Sequence, residues 1–386
     1  MKIKKKIVFL TGTRADFGKL RPLIDVLNDS NQFECHIFVT GMHTLSTHGF
    51  TYREVEKRGY KNVFVFMNQT DTSRQDVILS NTITGLSNYI NELSPDMIVI
   101  HGDRVEALAG ATVGSFRNII VAHIEGGEKT GTIDESIRHA VTKLSHLHFV
   151  SNENAKKRLV QMGEQNDHIF PIGSADIDIM MSKNLPSKEE LRNYYEISFE
   201  KYAILIFHPV TTELEHLEKQ INSLIAAAIN SKKNYVVIFP NNDPGSEIIL
   251  KAYHQLESNN KFKIFPSLRF EYFLTLLKHA DFIIGNSSAG ITEAEIYGVP
   301  TIDVGSRQQN RTTNKNIKNV ENDEDKILNA IEQIDGKKVK STFDFGDGQS
   351  SKRFFDIISK TEIWDINLQK YFIEMDEKNL ILIFLK

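Results

Sequence analysis

The chain has 386 residues, of which 40% are hydrophobic and 25% charged, an ordinary balance for a soluble globular protein with room for two domains of usual size. A formal charge of −4, from 46 basic and 50 acidic side chains, provides no basic stripe to neutralise nucleic-acid phosphates. Cys35, the single cysteine, can form neither an internal disulfide nor a thiolate metal site, so a reducing cytoplasm and no nucleic-acid partner are expected.

The basic opening residues lead into an apolar run of only Ile7 to Leu10, too short for a signal-peptide core. No apolar stretch approaches the roughly 20 residues that span a bilayer, so no membrane partner is expected. From there, short β-rich runs alternate with helix-length segments. The runs are Ile7–Leu10, Cys35–Thr40, Val63–Phe66, Met97–His101, Ile119–His123 and Leu147–Val150. Uninterrupted apolar strands of this kind predict a parallel sheet covered on both faces. A charged stretch from Lys183 to Glu200 reads as the connection between domains. The rhythm then returns in Tyr202–Phe207, Tyr235–Phe239, Phe262–Phe265, Asp281–Ile284 and Pro300–Val304. The fold class is therefore α/β, with two Rossmann-like doubly wound domains over residues 1–182 and 183–360. Residues 361–386 form a carboxy-terminal segment expected to pack back on the first domain. Asn310 to Lys340, rich in Asn and Lys, reads as an exposed stretch, and the apolar Asn379 to Lys386 as a terminal strand or interface element.

Such sheets bind ligands beyond the carboxyl ends of their strands, where helix N-termini present unpaired N–H groups. Six polar loops follow predicted strands, and together they describe a cleft between the domains. Thr11-Gly-Thr-Arg14 places Arg14 and Lys19 near a helix start, where two cations would meet an anion such as a diphosphate, or would flank a plain glycine turn. Gly12 and Gly18 lack the dinucleotide spacing, so NAD is unsupported. His101-Gly-Asp-Arg104 carries Asp103 and Arg104, Asp103 being either functional or a helix cap. In His123-Ile-Glu-Gly-Gly-Glu128, Glu125 and Glu128 flank two glycines that would let backbone approach a ligand. Thr132 and Glu135 match a capping box, which puts Asp134 in the first helical turn and Arg138 one turn later on the same face. His43 and His48, in the loop after the second strand, would either reach the cleft or serve as structural histidines, the structural reading being the stronger for each taken singly.

In the second half, His208-Pro-Val-Thr-Thr212, Pro240-Asn-Asn-Asp243 with Asn242, and Gly285-Asn-Ser-Ser-Ala-Gly290 follow strands in the same way. Ser287, Ser288 and Gly290 suit a phosphate turn, with Glu293 placed for ribose hydroxyls, while a plain serine-capped helix is the competing reading. His208 and Arg307 would donate to the same phosphates, and Pro266 to Phe270 would bracket a base.

Taken in order, these motifs, with Asp134-Glu-Ser-Ile-Arg-His139 and Val304-Gly-Ser-Arg-Gln308, resemble the hydrolysing UDP-N-acetylglucosamine 2-epimerases of bacterial sialic acid synthesis. The likeness runs from about residue 6 to about residue 375. It implies a GT-B-like pair of domains, with the sugar and the subunit contacts on the first and UDP on the second. It also implies chemistry without cofactor or metal, and a homodimer or homotetramer. Motif by motif, it points to Asp103, Glu125 and Asp134 as acid–base carboxylates. Arg14, Lys19, His43, Arg104, Glu128, Arg138, His208, Asn242, Ser287, Ser288, Gly290, Glu293 and Arg307 complete the substrate-binding set. UDP-N-acetylglucosamine and UDP are the expected ligands. Alternatives are a non-hydrolysing epimerase, a relative acting on a GDP-linked or diacetamido sugar, and a GT-B glycosyltransferase. Gly126-Gly-Glu128 resembles the hydrolysing branch.

Overall fold

The computed structural model describes residues 4–130, 133–182, 184–241, 243–308, 317–334, 339–341 and 345–374. Asn242 and the apolar segment Asn379 to Lys386 lie outside them. The chain divides into two compact units, one of residues 1–128, 137–176 and 346–386, the other of residues 129–136 and 177–345.

The first unit is built on a seven-stranded parallel sheet. Its strands are β1 (Lys5–Thr11), β2 (Phe33–Val39), β3 (Val63–Val65), β4 (Met97–His101), β5 (Ile120–Ile124), β6 (Leu147–Val150) and β7 (Ile169–Pro171), in spatial order β3-β2-β1-β4-β5-β6-β7. Alternation along β1 shows why its run is continuously apolar. Ile7 and Phe9 enter one core and Val8 and Leu10 the other, on the opposite face. The helix Ser350–Ile358 returns to this unit and adds Phe354 and Ile358 to the first of those cores.

The second unit carries a six-stranded parallel sheet of β8 (Ala203–Ile206), β9 (Tyr235–Ile238), β10 (Phe262–Phe265), β11 (Ile283–Gly285), β12 (Thr301–Val304) and β13 (Ile317–Val320), ordered β10-β9-β8-β11-β12-β13. Ala203 and Leu205 face one core, Ile204 and Ile206 the other. The charged stretch read as a connection contains a capped helix, Lys188–Tyr195, whose Leu191 is buried in this unit. Within the stretch read as simply exposed lie β13 and the helix Glu324–Ile334, whose Ile327 and Ile331 are fully buried.

In each sheet the strand order reverses once, between β1 and β4 and between β8 and β11. Loops leaving adjacent strands at such a point diverge and open a crevice at the carboxyl edge. Among the described residues no helix is long and apolar enough to cross a membrane.

Candidate active site

In the first unit the loop after β1 organises itself around Asp16. Its carboxylate accepts from the backbone N–H of Gly12 at 2.9 Å and of Thr13 at 2.8 Å, and Thr13 caps the helix Arg14–Asn28 in a reciprocal capping box. That fixes the first helical turn, and Lys19 projects from the next one. Its Nζ lies 3.0 Å from Glu125 Oε2, 3.3 Å from Oε1 and 3.5 Å from Asp176 Oδ2.

Glu125 follows β5 directly, in the left-handed region at φ 61°, with its N–H bonded to Phe149 O at 2.9 Å. A non-glycine residue held there costs on the order of 1–3 kcal/mol and marks a place where geometry is imposed by the surroundings. Its buried carboxylate also accepts from His101 Nε2 at 3.1 Å and from the Ser174 hydroxyl. Burial alone would raise its pKa. Lys19, His101 and Ser174 outweigh that effect and hold the carboxyl well below its usual range.

Asp103 follows β4 and is gripped by Arg138, whose other terminal nitrogen donates to Glu125 O at 2.6 Å. The cap reading of Asp103 gives way, because the capping position of Val105–Phe116 belongs to Arg104, with no side-chain cap bond. Arg104 Nε stands 3.5 Å from Glu106 Oε2. Asp134 sits in the first turn of the helix Ile133–Leu144, one turn before Arg138. Glu135 accepts from the backbone and hydroxyl of Thr130, whereas Thr132 lies outside the described residues.

Lys19, Asp103, Glu125 and Arg138 therefore form one connected set. Other expected site residues point elsewhere. Arg14 pairs with Glu54, whereas Lys19 pairs with Glu125, so in this structure each of the two cations meets a carboxylate of the protein. His43 is buried between Thr11 Oγ1 at 3.1 Å and Thr51 Oγ1 at 2.7 Å, and burial pushes it down to about 4, a neutral ring. Glu128 accepts from the Ser151 hydroxyl. The two glycines let the turn approach the protein's own atoms. A Cβ on Gly126 would meet His123 Nδ1 at 2.8 Å, and one on Gly127, at φ +76°, would meet Ala155 O at 2.5 Å.

His101, Ser174 and Asp176 join the set without having been singled out. His101 stood in a quoted motif, but Ser174 and Asp176 follow β7, a three-residue strand ending in proline at the sheet edge.

In the second unit, Asn286 spans the point between β8 and β11. Its Oδ1 accepts from His208 N at 2.6 Å and its Nδ2 donates to His208 O at 2.8 Å, an amide standing in for one rung of strand pairing. The Asn286 carbonyl takes Arg307 Nη1 at 3.2 Å and Gln308 Nε2 at 2.8 Å. Asn241 N–H donates to His208 Nδ1 at 3.2 Å, which places the ring proton on Nε2. Gly285 permits the close approach of these strands, since a Cβ there would lie 1.8 Å from Ile206 O. Ser287 caps the turn Ser288–Gly290, and Gly290 packs against Thr301. Glu293 is buried at the start of Glu293–Ile296 and accepts from Thr292. His208, Ser287, Ser288, Gly290, Glu293 and Arg307 thus occupy the carboxyl-edge loops of one sheet.

A family model described as UDP-N-acetylglucosamine 2-epimerase matches residues 25–359. A UDP-N-acetylglucosamine 2-epimerase of Neisseria meningitidis serogroup B is 49% identical over 376 residues, covering 96% of this chain and 100% of the relative. A Campylobacter jejuni protein named GDP/UDP-N,N'-diacetylbacillosamine 2-epimerase (hydrolyzing) is 35% identical, covering 87% of this chain and 89% of its own. Among solved structures, a Neisseria meningitidis UDP-GlcNAc 2-epimerase bound to UDP-GlcNAc superposes with a TM-score of 0.78 at 19% identity, over 92% of this chain and 99% of that one. It shares the two parallel α/β domains of the GT-B-like fold. The chain belongs to the UDP-N-acetylglucosamine 2-epimerase family.

Proposed function

We propose that the enzyme converts UDP-N-acetylglucosamine and water to N-acetylmannosamine and UDP, supplying sialic acid synthesis. A base removes the C2 proton, the C–H electron pair becomes the C1–C2 double bond, and the C1–O bond breaks toward UDP. Water then adds at C1 of the 2-acetamidoglucal, and a proton returns to C2 on the opposite face. The sequence is redox-neutral, so the balance calls for no electron carrier.

The observation that carries this reading is the connected set of Glu125, Lys19, His101, Asp103 and Arg138, with Glu125 and Arg138 buried and two carboxylates held by cations at a sheet's carboxyl edge. Removing a weakly acidic proton needs an aimed, desolvated base, and inversion needs a second proton-transfer group. Asp103, Glu125 and Asp134 are assigned to these roles. His208, Ser287, Ser288 and Arg307, with the helix start at Glu293, are assigned to UDP, where fixed donors would meet the charge growing on the leaving group. Arg104 and Arg138 complete the sugar side.

Hydrolysis is favoured by the Gly126-Gly127-Glu128 turn and by the relative whose name carries that activity. The shared name alone does not decide it, since Neisseria meningitidis proteins 49% and 19% identical to this chain both bear it. The same Campylobacter relative keeps a diacetamido substrate as the second reading. Incubation with UDP-N-acetylglucosamine in deuterated water, followed by proton NMR, tests both steps. Free N-acetylmannosamine carrying deuterium at C2, with UDP, is the expected product. An epimerised sugar still joined to UDP overturns hydrolysis, and no turnover except on a diacetamido sugar overturns the substrate.

A further inference from the structure

We propose that Asp176 is a positioning residue that shares Lys19 with Glu125 and so limits how far that ammonium weakens Glu125 as a base; this rests on the reading of Glu125 as a proton-transfer group.

Asp176 is 1% exposed, in the helix Ala175–Met180, and among the described residues neither carboxylate oxygen has a hydrogen-bond partner. A carboxylate taken from water without a donor is costly, and each such group in a folded protein calls for an explanation. Its ionic neighbour is Lys19, at 3.5 Å from Oδ2, while the same ammonium stands 3.0 Å from Glu125 Oε2. One flexible, three-proton donor between two buried acids can transfer its weight from one to the other by a small rotation.

The charged groups around Glu125 show why this matters. Lys19, His101 and Ser174 face its carboxylate, and Arg138, itself gripping Asp103, faces its carbonyl. Were Lys19 wholly given to Glu125, that acid would be a still weaker base, poorer at taking or delivering a proton. The negative charge of Asp176 opposes this in two ways. It draws the ammonium aside, and it disfavours a second anion nearby.

The test is the pH profile of UDP release from UDP-N-acetylglucosamine. In Asp176→Asn the acidic limb of kcat is expected to move to lower pH by about one unit, because Lys19 then serves Glu125 alone. Turnover near neutrality should fall about tenfold, the scale of one impaired proton transfer, with KM changed less than about twofold. Asp176→Glu should restore the profile. A wild-type profile and kcat in Asp176→Asn overturns the proposal. So does a loss of kcat with lowered thermal stability and an unmoved limb, which marks a structural role.

If Asp176→Asn does not fold, carbon-13 NMR titration of carboxyl-labelled wild-type protein reads the same coupling. Two inflections in the Glu125 resonance are expected, and a single independent titration there overturns it. Full turnover in Glu125→Gln would remove the underlying role of Glu125. An inactive Glu125→Gln beside a wild-type-like Asp176→Asn removes only the present inference.

Discussion

Arg138 holds Asp103 by the side chain and Glu125 by the backbone, one guanidinium nitrogen on the carboxylate and the other 2.6 Å from the carbonyl oxygen. The two strand ends β4 and β5 are thereby locked at a fixed spacing by one planar fork.

Arg138→Lys cannot reproduce that fork, because a point-like ammonium reaches one acceptor at a time. Turnover is expected to fall at least about a hundredfold, the effect of misplacing a reacting group by about 1 Å. Loss of one partner from a buried pair costs about 3–5 kcal/mol, and partial exposure of Asp103 brings the expectation for Arg138→Ala to about 2–3 kcal/mol. Steady-state UDP release and urea denaturation check both. Wild-type kcat in Arg138→Lys would contradict the locking role.

The glycine pair after Glu125 makes a graded prediction. Alanine at Gly126 crowds only the edge of the His123 ring, whereas alanine at Gly127 meets rigid backbone in a left-handed conformation. Gly127→Ala is expected to cost about 2–4 kcal/mol from combined strain and overpacking, and Gly126→Ala about 1–2 kcal/mol. Calorimetric melting should rank the two in that order, and the reverse ranking would refute the account.

Acid sensitivity follows from buried histidines. Burial pushes His146 down to about 4 and His123 down to about 3, against an ordinary value of 6.5. The unfolded chain therefore binds protons that the folded one refuses. Stability is full above about pH 6.5 and is lost as pH falls toward the folded values. Between pH 7 and pH 5, His146 alone accounts for about 2 kcal/mol of that loss. His146→Gln should be correspondingly less sensitive over this interval, measured by urea melts at the two pH values. Equal losses in both proteins would rule out the assignment.

Asn286→Ala removes both bonds to the His208 backbone. Since each buried group left unpaired costs about 1–3 kcal/mol, a clear drop in melting temperature is expected. Calorimetric titration with UDP should show affinity reduced about tenfold or more, as one lost ordering contact of that size implies. Unchanged UDP affinity would mean that this clamp does not shape the nucleotide loops.

The strands buried on both faces were legible because every residue of Met97–His101 or Leu147–Val150 sits against a core or ends a strand. β7 and β13 were not. β7 is three residues long with Pro171 at its end, and Ile-Lys-Asn-Val in β13 reads as polar chain because this edge strand is only partly covered, with Asn319 exposed and Lys318 half-buried. For the site, the motifs marked Asp103, Glu125, Lys19 and Arg138, but not how these pair, nor the part of Ser174 and Asp176. Lys19 and Glu125 are 106 positions apart, and Ser174 and Glu125 are 49 apart. Only strand order brings β1, β5 and the end of β7 to one edge, and no local spacing encodes it. The same gap explains Arg14, whose partner Glu54 lies 40 residues on, in a short helix between β2 and β3.

The return of the chain at Gly346 has a consequence for biosynthesis. During translation, residues 177–345 emerge while the first core still lacks Phe354, Ile358 and Ile363. The amino-terminal unit, although made first, is sealed last. A nascent chain stalled before Ser350 would expose unfilled apolar surface beside the helix Arg14–Asn28, a natural target for chaperones.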